Sequence, residues 1–164
     1  HTTMNADLKE IIENANERIS FVKTLEQNKT VVLTIKEKGE VIHMHNDWNA
    51  PNPVPFDPNK PCDFSTPVNK GKTITWIGTR YPKNNTAIQI EIDYILLNNA
   101  KGKQILKNKS YNRGQDNKVV GRVKNKTFLK EDIEYYYIVY SVITKVDRKT
   151  YILDPLMEPH GEAQ

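Results

Sequence analysis

Ala87-Ile88-Gln89-Ile90-Glu91-Ile92-Asp93-Tyr94 alternates apolar and polar side chains without a break. Successive side chains of a strand point to opposite faces, so this stretch predicts a half-buried β-strand. Ile88, Ile90, Ile92 and Tyr94 fall on one face, and Gln89, Glu91 and Asp93 on the other. A helix cannot produce this pattern, because its period of 3.6 would scatter the four apolar side chains around the axis.

The same period recurs on both sides. Downstream, residues 133–144 form a long run of aromatic and β-branched residues, which predicts a central strand. Its Tyr135-Tyr136-Tyr137 needs both faces to accept rings, so one hydroxyl is expected at a rim or interface. Residues 145–149 then turn the chain into Thr150-Tyr151-Ile152-Leu153-Asp154-Pro155, which closes the sheet. Val119 to Val123 and Gln104 to Leu106 read as shorter strands.

Upstream, Thr30 to Ile35 and Val41 to His45 flank Lys36-Glu37-Lys38-Gly39-Glu40, the signature of a hairpin. Lys72 to Ile77 is a further strand, after a turn at Asn69-Lys70-Gly71. Between them, five prolines in Asn49 to Pro61 exclude both a helix and a central strand, leaving a long loop. One helix is predicted near the N-terminus, where Leu8, Ile11, Ile12, Ala15 and Ile19 share a stripe. Its apolar stripe calls for a partner, either the domain body or a second copy of the chain.

These elements predict a mostly β fold: a two-sheet antiparallel β-sandwich carrying one N-terminal α-helix. His1-Thr2-Thr3 reads as an affinity-tag remnant, residues 4–29 as helix and connector, 30–157 as the sandwich, and 158–164 as a tail. A chain of 164 residues is long enough to bury such a core in one domain. Its apolar runs fall well short of the ~20 residues that a helix needs to cross a bilayer. The single cysteine, Cys62, excludes an internal disulfide. With Met4 as native start, the following residues carry neither a basic region nor an apolar core of a signal, which points to the cytoplasm unless a signal had already been cleaved.

The formal charge of +4 invites a nucleic-acid reading. The lysines are interleaved with acids and arginine is scarce, so a solvated basic face is favoured over a nucleic-acid surface.

Two sets of residues carry candidate chemistry. His43 and His45, two apart on a strand, share a face and can approach one divalent metal, with Asp47, Cys62 and His160 as possible further ligands. The competing account is a pair of ordinary strand histidines and no cofactor. Trp48, Phe56, Phe64, Trp76 and Tyr81 lie in or beside the proline-rich loop and can line a site for a sugar, peptide or small hydrophobic ligand. The competing account has Phe56 and Phe64 stapling the loop to the core, with Trp76 packed between the sheets. Cys62 could act as a nucleophile with a neighbouring base and a depressed pKa, but a lone cysteine more often behaves as a small buried hydrophobe, and no phosphate loop or serine elbow occurs.

Two resemblances follow from particular stretches. Asn69 to Trp76 is similar to the Gly-Asp-Thr-Val-x-Trp strand of cupredoxin-like sandwiches. A blue-copper site would then need a late Cys, His and Met on one loop; Cys62 comes early, and Met157 and His160 have no cysteine beside them. The loop Pro53 to Pro61 with Asp57-Pro58-Asn59, the strand Gly71 to Trp76 and the ending Tyr151 to Pro155 resemble, in order, the bacterial inclusion-body protein family of PixA/AidA type. That resemblance implies a non-enzymatic, often self-associating β-sandwich and offers no catalytic residues. The expected function is ligand or partner binding, or self-assembly; the alternative is a metal-binding protein, or a metal-dependent enzyme, built on His43 and His45.

Overall fold

The computed structural model describes residues 8–12, 28–46, 57, 59–61, 64–114 and 116–159. Ten strands follow one another: β1 (Lys29–Lys36), β2 (Val41–Asn46), β3 (Ser65–Val68), β4 (Thr73–Tyr81), β5 (Gln89–Gly102), β6 (Ser110–Asn112), β7 (Val119–Arg122), β8 (Glu134–Ile143), β9 (Arg148–Leu153) and β10 (Leu156–Pro159). They build a four-stranded sheet, β2-β1-β4-β7, and a six-stranded sheet, β3-β10-β8-β5-β6, with β9 alongside β8. Residues 8–12 are helical, and Leu8, Ile11 and Ile12 are exposed.

The sandwich is therefore as the alternation predicts, and the pairing differs in one respect. The sheets are mixed: β1 runs parallel to β4, and β10 parallel to β3, while the remaining pairs are antiparallel. Parallel neighbours need a crossover between them rather than a tight turn, and here whole strands of the chain intervene. Local sequence carries no mark of that choice. Gln104 to Leu106 also departs from the prediction, supplying only an isolated bridge from Leu106 to Val123.

The core lies between the sheets. Val31, Leu33, Ile35, Ile74 and Trp76 face it from one side, and Ile92, Ile95, Tyr136, Ile138 and Tyr140 from the other. The Trp76 ring meets Tyr136 edge to face, with centroids 5.6 Å apart. Both polar ends are buried, and the indole N–H donates to the Tyr136 hydroxyl at 3.2 Å. Burial pushes the Tyr136 phenol well above its ordinary range, so it stays neutral. Nearby, Thr66 donates to Asn46 Oδ1 at 2.9 Å, and Asn46 Nδ2 donates to the Ser65 carbonyl at 3.4 Å. These bonds join β2 in one sheet to β3 in the other and fix their relative position.

Glu134 opens β8 and is fully buried. Its Oε1 accepts from the backbone N–H groups of Ile105 at 2.7 Å and Leu106 at 2.9 Å, which ties an irregular segment to the sheet. Its Oε2 is buried with no hydrogen-bond partner among the described residues. Burial raises its pKa to about 7, although both backbone bonds and Lys124 pull the other way.

Candidate functional site

The strand with which the sequence is most explicit contains a β-bulge. Ile92 pairs with Tyr140 and Tyr94 pairs with Val139, so Asp93 is an extra residue on β5. The alternation is reset at that point. Ile88, Ile90 and Ile92 are buried as expected, but Tyr94 turns to the outer face, 47% exposed, and Ile95 takes the inward position. The expectation that Tyr94 shares a face with the three isoleucines is corrected by this one inserted residue.

The bulge gathers Glu91, Asp93 and Tyr94 on the outer face of the six-stranded sheet. Glu91 and Asp93 are nonetheless buried, because two arginines cover them. Arg113, just after β6, contacts Glu91 Oε2 and approaches Asp93 Oδ1 at 3.7 Å. Arg148, which opens β9, reaches Glu91 Oε2 at 2.7 Å and Asp93 Oδ1 at 2.5 Å. Hydrogen bonding to Glu91, with the neighbouring carboxylate charges, holds the Arg148 guanidinium more firmly protonated than usual. Ser141 on β8 donates to Asp93 Oδ2 at 2.5 Å and shares a hydrogen bond with Thr150 Oγ1 at 2.9 Å.

Above this layer lies an open depression of 390 Å³ lined by Asp93, Tyr94, Asn112, Arg113, Arg148 and Thr150. Asn112 pairs with Tyr94 across β5 and β6, so its amide flanks the exposed ring. Two carboxylates and two guanidinium groups make the site electrically balanced. Each guanidinium has five N–H donors, more than the contacts described here use. Sequence reasoning missed this site. Gln89, Glu91 and Asp93 read as an ordinary solvated face, and Arg113 and Arg148 lie too far along the chain to be associated with them. The faint signal was the placing of two acids at i and i+2 on one strand face.

The residues nominated from sequence are dispersed. Trp76 and Phe64 are buried in the core. Tyr81 is exposed at the end of β4. His43 and His45 are exposed on one face of the edge strand β2, opposite Thr34 and Val32 of β1. Among the described residues, no group of three or more His, Cys, Asp or Glu side chains is placed to share a metal ion. Trp48 and Phe56, with Asp47, Cys62 and His160, lie outside the described residues. Among the described nominated positions, His45 and Tyr81 line a common groove of 700 Å³ at the end of β4.

No profile of a known protein family matches the chain, and no curated protein does. Solved structures do match its fold. The chain resembles an inclusion body protein. That protein is PixA from Burkholderia cenocepacia J2315, matched with a TM-score of 0.54 at 12% identity over 81% of this chain and 94% of that one. The likeness extends over nearly the whole PixA chain, and at this identity it establishes the shared sandwich architecture. No helix among the described residues is long and apolar enough to cross a membrane.

Proposed function

We propose that this protein is a non-catalytic binding module whose ligand, a neutral polyhydroxylated ring such as a pyranose, rests on Tyr94 in the depression above Asp93. The observation that carries this reading is the charge balance of a rigid polar floor. Asp93 lies at the floor between Arg113 and Arg148, and the second carboxylate, Glu91, neutralises the pair from below, so the site carries no net charge for an ion to complement, whereas a neutral ligand with alternating donors and acceptors suits it. Tyr94 supplies an exposed flat face, with Asn112 and Thr150 as hydrogen-bonding groups beside it. Strands and ion pairs fix these groups before the ligand arrives, which limits the entropy lost on binding.

The same geometry argues against catalysis here. Glu91 and Asp93 are both engaged by arginine, and Ser141 donates to Asp93, so the described residues of the depression offer no free base beside an activated nucleophile. Titration of the protein with pyranose saccharides, followed by tyrosine and arginine NMR signals, is the direct test. Binding that disappears in Tyr94→Ala, with the melting temperature unchanged, is the expected result. A folded protein indifferent to all saccharides at millimolar concentration would sink the reading.

Self-association is a second reading, supported by β9. Among the described strands it pairs only with β8, leaving its other edge unpaired, and Ile152 stands 67% exposed upon it. The metal-binding alternative has in its favour the shared exposed face of His43 and His45.

A further inference from the structure

We infer that the groove between His45 and Tyr81 is a second ligand site, separate from the outer depression, and that it takes a single amphipathic carboxylate: an apolar chain or ring with an anionic head. Its volume of 700 Å³ lies within the range that holds a small ligand. Val32 and Ile90 supply apolar lining, and Tyr81 contributes an exposed ring at the end of β4. The remaining walls are uncharged or basic. His45, Arg80 and Lys83 line the groove, and among the described residues no Asp or Glu does.

That one-sided charge distinguishes this groove from the balanced depression on the other sheet. Arg80 is held in place: its Nε donates to the Lys83 carbonyl at 2.9 Å, and Nη1 donates to the Ile88 carbonyl at 3.4 Å. The guanidinium is thus a fixed positive charge at the rim, while Lys83 is an exposed and adaptable one. On the lining Thr79 donates to the Leu33 carbonyl at 3.2 Å and shares a hydrogen bond with Thr34 at 3.2 Å, so the Thr34 hydroxyl is the one that can exchange its bond for a carboxylate. An apolar body satisfies Val32 and Ile90, and the anionic head satisfies the basic rim. A neutral hydrocarbon would use only the first, and a cation would be repelled.

The test uses the full chain with decanoate below its micelle concentration, compared by calorimetry with decan-1-ol and decyltrimethylammonium, all in EDTA. Decanoate is expected to bind one to one and at least tenfold more tightly than either comparison compound. The double variant His45→Glu/Lys83→Glu changes two exposed side chains, so it should fold normally and weaken decanoate at least tenfold. Tyr81→Ala should weaken all three compounds together. Equal binding of the alcohol, full affinity in the charge-reversed variant, or no decanoate binding by the folded protein would each overturn the inference. So would binding that requires a metal and is abolished by EDTA, since the head group would then be held by the ion. Saccharide binding at Tyr94 should be unaffected by these changes, so failure of one site leaves the other separately testable.

Discussion

The indole N–H of Trp76 and the hydroxyl of Tyr136 meet 3.2 Å apart in the middle of the sandwich, each on a different sheet and each otherwise fully enclosed. A buried donor left without its acceptor costs about 1–3 kcal/mol. Tyr136→Phe keeps the ring packing and removes the hydroxyl that accepts from Trp76 and also bonds Thr66, so a loss in this range is expected in urea unfolding. Trp76→Phe combined with Tyr136→Phe should cost less than the sum of the two single changes. Strict additivity in that double-mutant cycle would show that the bond contributes nothing of its own.

Glu134 gives the fold a pH dependence with a definite sign. Its pKa is raised from 4.5 to about 7 in the folded protein. Between those values the native state holds a proton that the unfolded chain has released, so stability falls as pH rises. The stabilising contribution is complete below pH 4.5 and is lost as pH climbs through about 7. At ~1.4 kcal/mol per pKa unit, the total is on the order of 3 kcal/mol. Glu134→Gln retains an acceptor for Ile105 and Leu106 but does not titrate. The difference between wild type and variant in urea midpoint should therefore slope across this window, and a flat difference would refute the assignment.

Gly39 in the β1–β2 turn has a φ of +90°, and an added Cβ would lie 2.3 Å from Cζ of the Tyr151 ring. Its carbonyl accepts a hydrogen bond from Tyr140 at 2.7 Å, and Tyr140 stacks on Tyr151 with centroids 5.5 Å apart. Gly39→Ala strains the backbone and displaces the ring pair together. A loss of at least 2 kcal/mol, roughly, is expected from combined strain and overpacking. A thermal melt is sufficient to test it; a variant within a degree of wild type would contradict this contact.

Arg148→Met leaves Glu91 and Asp93 with Arg113 as their described arginine partner. Arg148 is 44% exposed, so solvent screens much of its interaction, and a cost of about 1 kcal/mol is the expectation. The loss should shrink as salt increases. A cost that is independent of ionic strength would mean that Arg148 acts through packing of its aliphatic stem instead.

Ile152→Lys places a charge on the exposed edge strand. If that edge mediates self-association, the variant should be monomeric in analytical ultracentrifugation at concentrations where the wild type associates. Its melting temperature should hold, because Ile152 points outward.

The legible part of this protein lies in its local patterns. Thr30 to His45 announced a hairpin because β-branched runs flank a short polar turn containing Gly39. Residues 133–144 announced a central strand because only a strand covered on both sides accommodates so many rings and β-branched side chains. The short strands β3, β6 and β10 escaped notice, since three or four residues are too few to establish a period. Trp76 and Phe64 looked equally suited to a ligand site or a core, because an aromatic side chain carries no indication of which it will join.

What the sequence by itself determined was therefore the class of fold: strand periodicity is a property of neighbouring residues, and burying one face of each strand leads to two packed sheets. The tertiary structure alone decided where chemistry is concentrated. The bulge at Asp93 depends on the register against β8, and Arg113 and Arg148 reach Glu91 only because β6 and β9 flank β5 and β8 in the folded sheet. His45 and Tyr81 came to line one groove through the parallel pairing that sets β4 beside β1. Charges and rings separated by tens of residues interact only after the chain has folded, and no local pattern records which of them will meet.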